Sequence, residues 1–145
     1  MDCSAIRYYL EYFNEWAGLP PGILTIVAMR ESGFNPQNCS FKNSCNWLRA
    51  CGLMQLRPVA LADIKRVYGI GLDPLDPIQA IVGAACLFNI NRGYIQRLTG
   101  RAPDFWALIA AYNGGYGAGI RYMNRQALSA ETRNYLGFVQ RVLSV

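Results

Sequence analysis

The sequence predicts a mostly α fold, on three observations. Apolar residues recur at three- and four-residue spacing in several separate stretches. Those stretches are bounded by helix start and stop residues such as Asp76-Pro77, Asp104, Ser129 and Gly33. Nothing along the chain reads as a pair of alternating strands, although a short hairpin in 39–57 stays open. The 145 residues, 52% hydrophobic and 16% charged, suit one compact domain, residues 1–145, of about six to eight helices around a single core.

Each helix has its own signal. Ile6, Tyr9, Leu10, Phe13 and Trp16 make the first apolar stripe, with Ser4 as its N-cap. Pro20-Pro21 starts a second helix with Ile23, Ile26 and Val27 inward, ending at Gly33 as its C′ residue. Residues 34–51 lack periodicity and carry Gly, Pro, Asn and Ser, so they form a long loop of the kind that usually serves function. Pro58 opens a third helix through Leu61, Ile64 and Val67. Asp76-Pro77 opens a fourth, in which Ile78, Ile81, Val82 and Ala85 lead on to about Leu98. Asp104 caps a fifth from Phe105 to Tyr112, stopped by Asn113-Gly114-Gly115. Ser129 begins the last, with Tyr135, Phe138, Val139 and Val142 on one face.

Composition removes several functions. The longest apolar run, Ile23 to Met29, is broken by Thr25 and falls far short of the roughly 20 residues of a membrane span. Met1-Asp2-Cys3-Ser4 has no basic stretch leading into an apolar segment, so no secretory signal peptide is expected. The net charge of +5 sits in residues 92–145, where seven arginines (92, 97, 101, 121, 125, 133, 141) face only Asp104 and Glu131. A basic half suggests a polyanionic partner, whether nucleic acid, membrane surface or cell-wall polymer; the spacing of the arginines fits a solvated helical surface equally well. The absence of histidine excludes Ser-His-Asp and Cys-His nucleophile pairs and zinc-histidine hydrolase sites. Cys39, Cys45 and Cys51 are spaced too widely for the usual zinc site. They allow one disulfide within 39–51 in an oxidising compartment, or buried thiols, which is the reading for Cys86. No metal or cofactor is implied.

Chemistry then falls to the nine carboxylates. Asp2, Glu11 and Glu15 read as surface charges, Asp76 and Asp104 as caps, Asp73 as a turn residue and Asp63 as the polar side of a helix. Glu31 differs. It follows the apolar stretch of the second helix, in its last turn, beside the long loop. The negative end of the helix dipole and an apolar wall both disfavour ionisation, so its pKa is expected to rise. A glutamic acid kept protonated near neutral pH can donate to a glycosidic oxygen.

Four segments occur in order: Glu31-Ser32-Gly33-Phe34-Asn35-Pro36, Gly52-Leu53-Met54-Gln55-Leu56-Arg57-Pro58, Ala110-Ala111-Tyr112-Asn113-Gly114-Gly115, and Glu131-Thr132 with Tyr135. Together they resemble the soluble lytic transglycosylase (SLT) domain of the lysozyme-like superfamily, with a motif-bearing core of about 20–142. The resemblance implies a lysozyme-like fold around a substrate cleft, with Glu31 as the lone catalytic acid/base. It implies that Met54 packs on a sugar and Gln55 hydrogen-bonds it, while Tyr112 and Asn113 face Glu31 from the other wall. Ser32, Glu131 and Tyr135 complete the implied site. The chain departs from the family between Cys39 and Cys51, where the serine that helps hold the substrate's N-acetyl group has no clear match; Ser40 and Ser44 are the candidates. Trp47, Tyr112 and Tyr116 are available for stacking on sugars.

The implied reaction cleaves the β-1,4 bond between N-acetylmuramic acid and N-acetylglucosamine and leaves a 1,6-anhydro ring. The implied partner is the peptidoglycan glycan strand, and no nucleic acid is expected. The alternatives are goose-type hydrolysis of the same bond and a non-catalytic virion or wall-binding component. Without an export signal, the setting expected is a bacteriophage product, either a virion component, the favoured reading, or an endolysin released through a holin, with phage tail or ejection proteins as further partners and the periplasm or cell wall as the place of action.

Overall fold

The computed structural model describes residues 3–39 and 50–144, and these contain seven helices and no named strand. The fold is mostly α, as the periodicity predicts. The chain divides into two compact units, Met1–Leu87 and Phe88–Val145.

In the first unit, α1 (Cys3–Trp16) already includes Ser4, which lies in the first turn and not at the N-cap the sequence suggests. Asn14, 4% exposed, does the joining work. Its Nδ2 donates to the carbonyls of Leu19 (3.1 Å) and Pro20 (2.8 Å), and its Oδ1 accepts from the Leu24 amide at 2.9 Å. One buried carboxamide thus fixes the turn and serves the start of the next helix. That matters because the residue capping α2 (Ile23–Ser32) is Gly22, which has no side chain to cap with. Pro20 and Pro21 therefore precede α2 and do not begin it.

Ile23, Leu24, Val27 and Ala28 of α2 are fully buried, and Ile26 is nearly so. A helix apolar on most sides belongs inside a core and needs no amphipathic stripe. It ends at Gly33, whose φ of 61° turns the chain left-handed, while the Gly33 amide donates to the Met29 carbonyl at 3.0 Å. The hairpin left open for 39–57 reduces, among the described residues, to two isolated antiparallel bridges, Cys39 with Cys51 and Cys51 with Leu56. α3 (Pro58–Tyr68) buries Ala60 and Ile64, whereas Val67 is 51% exposed.

α4 (Pro77–Thr99) starts where Asp76 Oδ1 accepts from the Gln79 amide at 3.0 Å. In the second unit, α5 (Phe105–Gly114) is capped by Asp104, which accepts from the Ala107 amide at 2.9 Å. α6 (Tyr116–Met123) is a helix the sequence reading does not contain. Its Gly119 lies so close to α5 that a Cβ there would meet the Ala107 carbonyl oxygen and Ile95 Cδ1, each at 2.8 Å. α7 (Ala130–Leu143) begins at Ser129, whose Oγ accepts from the Thr132 amide at 3.1 Å, and it buries Thr132, Tyr135 and Val139.

Candidate active site

The residues nominated from the sequence fall into two groups, one in each unit. The first gathers at the end of α2. Glu31 is half-buried in the last helical turn, as expected, between exposed Arg30 and buried Ser32. Ser32 donates from Oγ to the Ala28 carbonyl (3.2 Å) and to the Leu53 carbonyl (2.7 Å). Its hydroxyl is engaged in tying the helix that carries Glu31 to the Gly52–Leu56 turn, so it differs from the substrate contact implied above.

That turn is fastened at several points. Cys51 and Leu56 exchange backbone hydrogen bonds of 3.2 Å, and the Gly52 amide donates to the Asn38 carbonyl at 2.7 Å. Gln55, at a φ of 51°, donates from Nε2 to the Asn38 (2.8 Å) and Gly52 (2.9 Å) carbonyls. A disulfide joins Cys39 to Cys51. It resolves the alternatives the three spaced cysteines left open, as far as Cys39 and Cys51 are concerned. Gly52 is required here: its φ is 87°, and a Cβ would run into the Pro74 carbonyl. Met54 is 0% exposed, along with Leu53 at 1% and Leu56 at 2%. Its side chain is part of the core of this unit, where the resemblance implied a surface that packs on sugar. Burial of three apolar side chains anchors this turn to the core of the unit.

The second group lies where α5 ends and α7 begins. Tyr112 is half-buried and stacks on Phe88 with ring centroids 4.9 Å apart and planes 18° from parallel. Asn113 donates from Nδ2 to Glu131 Oε1 at 3.2 Å and accepts at Oδ1 from the Thr132 hydroxyl at 2.8 Å. Glu131 is exposed in the first turn of α7, where a carboxylate is favoured by the helix dipole. Tyr135, 2% exposed, is a core residue one turn further on. Tyr116, suggested for stacking, is 46% exposed and pairs with Tyr94 at 5.5 Å. Ser40, Ser44 and Trp47 lie outside the described residues.

Two partners escape the sequence reading. Phe88 reads as one more apolar residue of α4, and only the fold places it beneath Tyr112. Thr132 stands inside the quoted Glu131-Thr132 pair, but nothing in its spacing ties its hydroxyl to Asn113. Among the described residues, no three His, Cys, Asp or Glu side chains come together as a metal site would require. No described helix is long and apolar enough to cross a membrane.

A mostly helical chain with its candidate acid at the end of a buried helix is consistent with the lysozyme-like class. Within that class the assignment is specific: the family model described as the transglycosylase SLT domain matches residues 10–135, and the chain belongs to that family. Among curated relatives, the chain is similar to the membrane-bound lytic murein transglycosylase C of Histophilus somni, with 30% identity over 137 residues, covering 88% of this chain and 36% of the relative. The proteins of the same name from Haemophilus influenzae and Glaesserella parasuis are each 32% identical. Those matches cover 79% and 88% of this chain, and 33% and 36% of the relatives. The chain thus spans about a third of the length of these relatives.

Proposed function

We propose that the chain is a peptidoglycan lytic transglycosylase, with residues 1–145 working as one lysozyme-like domain and Glu31 as its acid/base. The observation that carries this is the placement of Glu31. It lies within the matched family region, half-buried in the last turn of α2, and Ser32 beside it pins that turn to the Gly52–Leu56 segment. A rigidly held carboxyl group on a packed helix is what general acid catalysis requires, since proton transfer tolerates little misplacement.

The reaction proceeds with one carboxyl group, in contrast to glycosidases that use a spaced pair. Glu31 gives its proton to the oxygen of the β-1,4 bond between N-acetylmuramic acid and N-acetylglucosamine. As that C–O bond breaks, the substrate's own N-acetyl carbonyl oxygen bonds to the anomeric carbon. The Glu31 carboxylate then takes the proton of the muramic 6-hydroxyl, whose oxygen displaces the carbonyl and closes the 1,6-anhydro ring. Glu31 ends protonated, ready for another cycle, and no water enters the products. We assign the exposed or half-buried polar groups, Gln55, Tyr112, Asn113 and Glu131, to binding the glycan. Buried Met54, Ser32 and Tyr135 are assigned to holding those groups in position.

Purified sacculi digested with the wild type and with Glu31→Gln test this. The variant should lose at least about 100-fold in rate, the usual contribution of a general acid. The released muropeptides should be lighter by one water than hydrolysed ones. Reducing ends alone would establish goose-type hydrolysis instead, and equal clearing by both proteins, or none by either, would favour a wall-binding role without turnover. The phage setting rests on the sequence reading, and detection of the chain in purified virions tests it.

A further inference from the structure

The carboxamide of Asn113 is held at both ends by α7. Thr132 donates from Oγ1 to Asn113 Oδ1 at 2.8 Å, and Asn113 Nδ2 donates to Glu131 Oε1 at 3.2 Å. The Thr132 hydroxyl oxygen itself accepts from Ser129 Oγ at 3.0 Å. The three links form one directed chain, in which each donated proton polarises the next group. Thr132 is only 2% exposed, so its hydroxyl is shielded from competing water.

A carboxamide has donor and acceptor ends of nearly equal shape, and a flip exchanges them. At Asn113 a flip would set its oxygen against the Glu131 carboxylate, which can only accept, so Glu131 enforces one orientation. In that orientation Oδ1 faces Thr132, and the Thr132 hydroxyl donates to it and holds it there. Room for this is built into the backbone: a Cβ on Gly114 would approach Thr132 Oγ1 to 3.0 Å and Ala118 Cβ to 2.8 Å. Capping of α7 alone would not require any of it, because Ser129 already satisfies the Thr132 amide.

We propose that Thr132 is a positioning residue for the reaction: its buried hydroxyl fixes the Asn113 carboxamide so that one Nδ2 hydrogen binds Glu131 and the other is kept as a donor for an oxygen of the glycan. This rests on the assignment of Asn113 to glycan binding. The role is specific to the hydroxyl, since valine has nearly the same shape and cannot donate.

The test compares Thr132→Val, Thr132→Ser and Asn113→Ala singly and in combination, on isolated glycan strands, with melting temperatures measured alongside. Thr132→Val should lower kcat/KM about tenfold or more, and Thr132→Ser should stay within about threefold of wild type. Thr132→Val added to Asn113→Ala should cost nothing further, because the two act through one contact. Full activity of Thr132→Val overturns the proposal, as does a loss that adds undiminished to that of Asn113→Ala. If the valine variant does not fold, Thr132→Ala serves the same comparison. A second readout is independent of turnover: the side-chain amide resonances of Asn113 should shift, and their hydrogens should exchange with water faster, in Thr132→Val than in the wild type. Unchanged resonances would also overturn the proposal, whereas a wild type that cleaves nothing counts against the functional assignment and leaves this readout to decide the role of Thr132.

Discussion

At the level of single residues, burial decides which side chains are available for chemistry and which are not. The cysteines show it most directly. Cys86 lies in α4 at 3% exposure, and burial pushes its thiol from an ordinary value near 9 up to about 11. The thiolate is the reactive species, so at pH 8 only about one Cys86 in a thousand is ionised. Cys3 is exposed. Brief alkylation of the native protein at pH 8, read by peptide mass spectrometry, should therefore modify Cys3 and leave Cys86 untouched until denaturant is added. Rapid labelling of Cys86 in the native state would contradict its burial. The same shift has a stability sign. The folded thiol keeps its proton to higher pH than the unfolded one, so this contribution is complete below about pH 9 and is lost as pH rises towards about 11. Burial also explains how the candidate site was legible in part. Glu31 stood out because it was the one carboxylate after an apolar helix, and the fold keeps it there. Met54 and Tyr135 were nominated by motif, and a motif does not distinguish a side chain that touches substrate from one that holds up its neighbours. Nor does it show that the Ser32 hydroxyl is engaged by Leu53.

Among the helices and turns, what was legible followed from local chemistry. The caps at Asp76, Asp104 and Ser129 and the left-handed stop at Gly33 each act within a few residues, and each lies where the sequence puts it. α6 was illegible for the opposite reason. Its residues Tyr116, Gly117, Ala118 and Gly119 include poor helix formers, and it exists because small residues let it approach α5. Tertiary packing overrides propensity there. The Gly52–Leu56 turn combines both kinds of control: a glycine demanded by φ, and long-range fastening by Cys39–Cys51, Ser32 and Asn38. The disulfide closes a loop with its ends 12 residues apart. Restricting the unfolded chain in this way is worth on the order of 3 kcal/mol for a loop of about 15 residues. Reduction by a dithiol, which is itself oxidised as the two cysteine thiols form, should lower the melting temperature by several degrees. Cys39→Ser should show the same lower value with or without reductant. A melting temperature indifferent to reductant in the wild type would mean that the packing of Leu53, Met54 and Leu56 holds the turn unaided.

Across the whole molecule the clearest asymmetry is charge. Residues 92–145 hold seven arginines against Asp104 and Glu131, while in the first half Arg7 pairs with Glu11 and Arg66 with Asp63. Arg97, Arg101, Arg121, Arg125, Arg133 and Arg141 are exposed. Several are oriented by neutral partners: Arg97 lies over the Tyr94 ring at 4.8 Å, Arg101 bonds Asn124, and Arg133 donates to the Leu128 carbonyl at 3.2 Å. Such contacts hold a guanidinium in place without neutralising it, so the positive potential of this half remains available to an anionic polymer. Cell wall bearing free carboxylates is such a polymer, and the charge would raise the residence of the chain on it without adding to the chemistry proposed for Glu31. The consequence is measurable separately from cleavage. Binding of Glu31→Gln to sacculi by co-sedimentation should fall steeply as salt rises from about 50 mM to about 500 mM, over which screening shortens from beyond 10 Å to below it. Replacing Arg97, Arg101 and Arg125 with Gln should weaken binding at low salt and flatten its salt dependence, while cleavage of short glycan fragments at high salt, where charge is screened, stays unchanged. If binding is insensitive to salt, the arginines are a solvated surface only, and adhesion to the wall comes from the sugar-binding groups alone.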